Sequence, residues 1–290
     1  MSWLWLALAS AFALATADAL TKGRLAHRPA AELMFARFLF QALWLAPVLW
    51  LMPPDWPAPP FWGWLGAMVP LELLAMYSYM RAIQSSPLAL TLPYLAFTPV
   101  FITVTGWVLL GERLSSTGVV GTFSVAVGAY LLNIRHLRRN GRLAWLAPLA
   151  AIFRELGSKW MLLAAIVFAF TSVMGKGALQ YMAPISFAAL YYVILGGVVA
   201  LGFVLTQPRV FVDVGRNVGA HSWVGVFMVA MIVCHFLAIQ HVEVAYMITA
   251  KRTSLLFGMI YGAVLFGEPD IRRNLLAAAF MLLGVFLVAL

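Results

Sequence analysis

Long stretches without charged residues constrain this chain more than any other feature of its sequence. No Asp, Glu, Lys or Arg occurs between Arg113 and Arg135, or between Lys176 and Arg209. A helix of about 20 mostly apolar residues is long enough to cross the hydrocarbon core of a bilayer. Over the whole chain only 10% of residues are charged, whereas soluble globular proteins carry about 25%. The sequence therefore predicts an integral membrane protein built from helices.

Ten apolar stretches of spanning length follow one another along the chain. The predicted spans are 2–21, 30–52, 61–83, 88–111, 116–134, 158–180, 184–206, 218–241, 244–267 and 272–290. Short segments containing Pro or Gly separate most of them, and only the basic segment 135–157 is long. The expected fold class is all-α, with ten transmembrane helices, and Pro93 and Pro99 are expected to kink the fourth.

The basic residues predict how the chain is oriented. Of its 19 Lys and Arg residues, 14 lie in or beside odd-numbered loops and only Arg113 lies in an even-numbered one. The positive-inside rule places the odd loops in the cytoplasm and both termini on the other side. The expected location is a bacterial inner (plasma) membrane, which the chain crosses several times. The formal charge of +9 then reports topology, and no nucleic-acid partner is expected.

An internal repeat divides the chain into two halves. Segments 87–132 and 244–288 match at an offset of 156 residues, with the pairs Gly106 and Gly262, Gly111-Glu112 and Gly267-Glu268, and Gly128 and Gly284. The predicted units are a first repeat over 1–134, a basic cytoplasmic connector over 135–157, and a second repeat over 158–290. Five spans per unit give the two units opposite orientations. Inverted repeats are typical of secondary transporters, whose substrate site lies near the membrane midplane.

Several motifs carry a resemblance to a known family. They are Lys22 at the end of the first span, Ala36-Arg37-Phe38, the run from Pro99 to Leu114, the FGE at 266–268, and Gly284. Together they resemble the EamA-type, ten-helix transporters of the drug/metabolite transporter superfamily. The resemblance implies a transporter with a small-molecule substrate.

A narrower similarity concerns the ninth span. Plastid sugar-phosphate/phosphate translocators, a branch of the same superfamily, carry an adjacent Lys-Arg pair there that holds the substrate phosphate. Lys251-Arg252 is similar to that pair in residue type and in helix. The translocators also use a lysine in the fourth helix, and the span 88–111 contains none.

Lys251 and Arg252 are the strongest candidates for a binding site on the residues alone. They are the only charges in the ninth span, and a charge at mid-bilayer depth costs between about 3 and 17 kcal/mol. Adjacent residues point about 100° apart on a helix, so one acid can hardly satisfy both. We expect them to bind an anion; the alternative is an ion pair with Glu72 or Asp18.

The remaining candidates have both functional and structural interpretations. Glu72 and Asp18 are expected to provide proton coupling or charge balance, although Asp18 also has Lys22 four residues away. Arg37 is a candidate substrate contact, or else a structural partner of Glu32 or of a helix end. Hydroxyls from four tyrosines are expected to line a cavity, or else these residues only pack: Tyr77, Tyr94, Tyr191 and Tyr246. His235 is expected to be a packing residue, and no metal site is expected.

The leading functional hypothesis is a secondary transporter that moves a small phosphorylated or carboxylated anion by alternating access, coupled to protons or to a counter-substrate. The alternatives are an exporter of amino acids, amphipathic amines or drugs, and a translocator of a phosphorylated lipid head group. The chain contains no G-x-x-x-x-G-K-[ST] motif and no H-E-x-x-H motif, so neither direct use of ATP nor an enzymatic activity is expected. The expected partners are the substrate and the bilayer, without a cofactor.

Overall fold

Helices make up nearly all of the described structure. The computed structural model describes residues 2–51, 53, 57–85, 92–134, 138–139, 142–143, 155–267 and 275–290. A short antiparallel pair of strands, β1 (Arg138–Arg139) and β2 (Arg142–Leu143), lies in the predicted connector 135–157. Most of that connector falls outside the described residues, as does Glu268.

The helices follow the predicted spans closely, with three differences. In the first half they are α1 (Ser2–Leu25), α2 (Ala30–Leu51), α3 (Pro59–Ser85), a 3₁₀ helix (Leu92–Phe97), α4 (Thr98–Leu110) and α5 (Ser116–Ile134). In the second half they are α6 (Leu156–Ala178), α7 (Pro184–Thr206), α8 (Arg209–Gly215), α9 (Val218–Ile239), α10 (Val244–Lys251), α11 (Ser254–Phe266) and α12 (Leu275–Ala289). The short helix α8 was not predicted, and the fourth and ninth spans are each broken in two.

Length and composition make this a multi-pass membrane protein. Five of the described helices, α1, α2, α6, α7 and α9, are long and apolar enough to cross a bilayer. Shorter apolar helices cover Tyr94–Leu110, Ser116–Leu131 and Leu276–Ala289. Helices suit this environment because each satisfies its own backbone hydrogen bonds where water is absent.

The ninth span is interrupted at the two cations, so the expectation of one continuous helix over 244–267 was wrong. Helix α10 ends at Lys251 and α11 begins at Ser254. The backbone tightens between them, because the amide of Thr253 donates to the carbonyl of Ala250 at 3.1 Å. The Thr253 hydroxyl donates to the same carbonyl at 2.8 Å. A 3₁₀ step in mid-helix often marks a functional position.

The fourth span has a similar interruption, in place of a simple proline kink. Its 3₁₀ helix gives way to α4 at Thr98, whose hydroxyl donates to the carbonyl of Leu95 at 2.8 Å. Pro99 stands in the first turn of α4, where the missing N–H costs no hydrogen bond. The breaks in the two halves therefore share a threonine that bonds three residues back.

Helix packing follows the repeat. Helices α1, α3, α4 and α5 of the first half occupy the places of α6, α9, α11 and α12 in the second. The packing of α1 on α9 accordingly has its counterpart in α6 on α3, and that of α1 on α11 in α6 on α4. Two further pairs, α2 with α7 and α5 with α12, join corresponding helices directly.

Glycines let the last helices of the two halves approach closely. A Cβ atom on Gly284 would lie 2.5 Å from the carbonyl oxygen of Gly121, and one on Gly128 would lie 2.7 Å from that of Ala277. Small residues allow this kind of backbone contact between membrane helices. The repeated glycines Gly111 and Gly267 have φ angles of 69° and 64° and end α4 and α11 as left-handed caps.

Candidate functional site

A cavity of about 680 Å³ lies between the two halves. Its volume falls in the range of small-molecule sites, about 300 to 1,000 Å³. Both broken spans contribute to its wall through residues next to their breaks. Six of the nine residues predicted for the site line this cavity: Asp18, Arg37, Glu72, Tyr191, Lys251 and Arg252.

The two cations lie at the break between α10 and α11. The ammonium of Lys251 lies 3.0 Å from Sδ of Met231 and 3.4 Å from Nδ1 of His235, both on α9. The Nε of Arg252 is buried without a hydrogen-bond partner. Within the described part of the chain, no carboxylate forms a salt bridge with either residue. Two cationic groups therefore line the cavity without direct contact to any of the described carboxylates.

Glu72 lines the same cavity as this pair, and the charge of Lys251 acts on its carboxyl group. The side chains of Thr171 and Tyr191 lie near that carboxyl group as well, although the Tyr191 hydroxyl forms no hydrogen bond. None of the described carboxylates, including that of Glu72, lies within 4.0 Å of the Lys251 ammonium, the limit for an ion pair. Glu72 thus interacts with the cationic pair at a distance without neutralising it by direct contact.

Asp18 and Arg37 form a pair of their own. A guanidinium nitrogen of Arg37 on α2 donates to a carboxylate oxygen of Asp18 on α1 at 2.5 Å. The same nitrogen lies 3.5 Å from the Thr21 hydroxyl. The Asp18 side chain is 55% exposed, so the pair lies where the cavity meets its surroundings. The structure thus pairs Asp18 and Arg37 with each other. The alternatives were Lys22 as the partner of Asp18 and Glu32 as the partner of Arg37.

In the described part of the lining, three buried polar atoms lack a hydrogen-bond partner. They are the Tyr191 hydroxyl, Oε1 of Gln41 and Nε of Arg252. An unpaired buried polar group costs about 1–3 kcal/mol. Such groups gathered around one cavity indicate positions that a ligand would satisfy.

Sequence reasoning missed much of the lining. Gln41 and Thr171 are polar residues within apolar spans, a signal of the same kind as Glu72 that would have identified them. The missed methionines gave no such signal, because methionine is common in any apolar helix: Met34, Met68, Met76, Met80, Met228 and Met231. Methionine adapts to irregular shapes, so much of the apolar wall is compliant.

Aromatic rings from three helices pack together beside the cavity. Phe236, which lines the cavity, lies edge-on to Phe187 with ring centroids 5.0 Å apart. Phe187 in turn lies edge-on to Phe61 at 6.0 Å, and both are fully buried. These rings come from α3, α7 and α9, so three helices meet there. The exposed side chain of Asp18 marks the open end of the cavity.

Three of the predicted tyrosines do not line the cavity. Tyr77 is 55% exposed and packs edge-on against Trp160. Tyr94 is buried in a cluster with Ala82 and Met161. The hydroxyl of Tyr246 accepts the backbone N–H of Ser115 at 2.8 Å. Each of these tyrosines therefore packs against other residues or forms a structural hydrogen bond, and none faces the cavity.

Two more charged clusters lie outside the cavity and connect the halves. Glu112 accepts hydrogen bonds from Lys176 at 2.6 Å and from the backbone N–H of Val244 at 3.0 Å, at the start of α10. Glu32 lies 3.1 Å from Nε2 of buried His221. In the described ranges, no three His, Cys, Asp or Glu side chains converge as they would around a metal ion.

Comparison with known proteins places the chain in a family. The family model for the EamA-like transporter family matches residues 1–134 and 155–290. No curated protein matches the chain. One solved crystal structure superimposes on it with a TM-score of 0.76 at 16% sequence identity, over 100% of this chain and 99% of the other. At that identity the likeness shows a shared fold alone.

Proposed function

Because this chain belongs to the EamA-like transporter family, we propose that it is a secondary transporter that moves a small organic anion, phosphorylated or carboxylated, across the membrane by alternating access. One observation carries the choice of an anion. Lys251 and Arg252 line the central cavity without a carboxylate in ion-pair distance among the described residues. Buried charges are usually paired, so a negatively charged substrate is the natural partner.

The proposed architecture has ten transmembrane helices in two oppositely oriented halves. Each broken span counts as one transmembrane element. The matched packing of α1 on α9 and α3 on α6 supports it, since exchanging the halves exchanges these pairs. Both termini are proposed to be non-cytoplasmic, as the basic loops indicate. The open end at Asp18 would then face the cytoplasm, and rocking of the halves would open the cavity to the other side.

Lys251 and Arg252 have complementary roles in this proposal. The guanidinium of Arg252 has a fixed fork of donors that suits a carboxylate or a phosphate, whereas the Lys251 ammonium is a compact charge. Met231 and His235 hold Lys251 through weak contacts that an incoming anion would readily replace. Glu72 is the proposed coupling group, as a proton carrier or as the balancing charge when the site is empty; exchange for a counter-substrate is the other way to drive the cycle.

Export of amphipathic amines is the competing function within transport, and the same observation disfavours it. An amine would need Lys251 and Arg252 to be neutralised by Glu72, yet none of the described carboxylates is within 4.0 Å of Lys251. An amine entering this cavity would meet two unpaired cations. Transport of an anion is therefore the better-supported function.

A ligand-binding screen tests the proposal. Purified protein would be heated with phosphorylated, carboxylated and cationic metabolites, and its melting temperature recorded. We expect anions to stabilise the wild type and the Lys159→Ala variant, whose lysine is exposed on α6. The same anions should not stabilise Lys251→Ala. Stabilisation by cations only would contradict the proposal, and uptake into proteoliposomes would then show whether the bound anion is transported.

A further inference from the structure

The charges around the cavity indicate more about the substrate than its sign. We infer that the site selects organic monoanions with an apolar body, and that it discriminates against dianions such as phosphate monoesters. The inference rests on the proposed function, because it specifies the substrate of the same cavity. Its evidence is the number of charges in the lining and the way they are paired.

Among the described residues, five charged side chains line the cavity, and two of them cancel. Asp18 and Arg37 neutralise each other in direct contact near the open end. Glu72, Lys251 and Arg252 remain further in. His235 can accept a hydrogen bond from the Lys251 ammonium, 3.4 Å away, only when its ring is neutral. With Glu72 ionised and Lys251 protonated, the inner cavity therefore has an excess of one positive charge.

That excess sets the charge of the best ligand. A carboxylate brings one negative charge and leaves the inner cavity neutral. A phosphate monoester carries about −1.5 to −2 at neutral pH, so part of its charge would remain unbalanced away from water. An amine would raise the positive excess to two. Uncompensated charge in a buried site is strongly unfavourable, and a monoanion is the ligand that avoids it.

The rest of the lining describes the body of the ligand. Six methionines and the rings of Phe38, Phe168 and Phe236 provide apolar surface around the charged groups. Polar groups are also present: Nε of Arg252, the Tyr191 hydroxyl and Oε1 of Gln41 are buried without a partner, and Tyr79, Tyr192 and Ser254 add further hydroxyl groups. An apolar chain or ring that carries a few neutral polar groups therefore fits this wall.

Three ligands with the same phenylethyl body separate these possibilities: 3-phenylpropionate, phenethyl phosphate and phenethylamine. Their affinities would be measured by isothermal titration calorimetry on the full-length protein in nanodiscs. We expect 3-phenylpropionate to bind at least about tenfold more tightly than the phosphate, because of the unbalanced charge. The amine should show no measurable binding.

Glu72→Gln is the matched variant, because it preserves shape while raising the excess inner charge to two. We expect the preference for 3-phenylpropionate over the phosphate to narrow by about tenfold or to reverse. Asp213→Asn also removes one acid, but from the exposed pair with Arg216, whose residues do not line the cavity. This control should change the ratio little.

The possible results distinguish a failure of the monoanion selectivity from a failure of the proposed anion transport. If the phosphate binds the wild type as tightly as 3-phenylpropionate, the inference is overturned while anion transport stands. An affinity ratio that stays the same in a folded Glu72→Gln protein overturns it as well. If only phenethylamine binds, both the inference and the proposed function fail. The ratio for the wild type decides alone if Glu72→Gln does not fold.

Discussion

Lys176 and Glu112 join the two halves by an ion pair of 2.6 Å. Glu112 follows α4 in the first half, whereas Lys176 lies in the last turn of α6, the first helix of the second half. The carboxylate also accepts the backbone N–H of Val244, and Lys176 donates to the carbonyl of Val242 at 2.7 Å. One acid thus fixes the end of α6 and the start of α10 together, and α10 carries Lys251.

Replacing Glu112 by Gln should destabilise the protein, although the two side chains have nearly the same size. The variant leaves a partly buried ammonium without its counter-charge and exchanges one of the two acceptor oxygens for an NH2 donor, so we expect a loss of about 1–3 kcal/mol. Thermal denaturation in detergent would measure it. Adding Lys176→Met should recover part of the loss, because no uncompensated charge then remains.

Asp213→Asn is the control for this experiment. Its pair with Arg216 is exposed and 3.5 Å long, and exposed pairs contribute about 0–1 kcal/mol. Equal losses in Glu112→Gln and Asp213→Asn would show that the pair between the halves has no special weight.

Removing the Tyr191 hydroxyl should separate stability from binding. The hydroxyl is buried without a partner, and the ring stacks on Phe187. Tyr191→Phe keeps that stacking, so we expect stability to be unchanged or to rise by about 1 kcal/mol. Affinity for an anionic ligand should fall about fivefold, the effect of one hydrogen bond. Melting curves and calorimetry on the same sample would give both quantities.

Tyr246→Phe should show the reverse pattern. This tyrosine accepts a bond from the Ser115 backbone and does not line the cavity. The variant should melt at a lower temperature and bind ligand normally. If both variants lost stability alone, Tyr191 would be a packing residue only.

A methyl group on Gly284 should disrupt the contact between α5 and α12. Its Cβ atom would lie 2.5 Å from the Gly121 carbonyl oxygen and 2.8 Å from the Val125 nitrogen, so backbones must move apart. We expect Gly284→Ala to cost about 1–3 kcal/mol. Gly197→Ala, where nothing lies within 4 Å, should instead gain about 0.5–1 kcal/mol from better helix propensity. Comparable melting temperatures for the two proteins would contradict the close packing.

Gly111 should be sensitive to backbone conformation alone. A Cβ atom there meets nothing within 4 Å, but φ is +69°, a region that costs an L-residue about 1–2 kcal/mol. Gly111→Ala should lower stability by that amount, and Gly111→Asn by less, because asparagine tolerates this conformation. Chemical denaturation of both variants would check the order.

Hydrophobicity alone was enough to locate most of the helices, because a membrane span depends on length and apolarity more than on tertiary contacts. It did not predict the break at Thr253, since the threonine that bonds back to Ala250 looks unremarkable among apolar neighbours. Helix α8 was missed because seven residues between two spans resemble a loop.

The site was predictable to the extent that its residues are charged. A charge inside an apolar span is visible in the sequence, and Glu72, Lys251 and Arg252 all line the cavity. Tyrosines gave a mixed result, because whether a hydroxyl faces a cavity or a backbone amide depends on how helices pack. Tyr191 lines the cavity, whereas Tyr246 bonds to Ser115.

The break in the ninth span also links the spacing of the two cationic groups to the angle between α10 and α11. Lys251 is the last residue of α10, and Arg252 lies in the joint before α11. Bending at this joint would change the spacing between ammonium and guanidinium. A ligand held by both groups would resist that bending, whereas an empty site would allow it. Ligand binding would therefore act directly on the orientation of α11, without a chain of residues between the ligand and that helix.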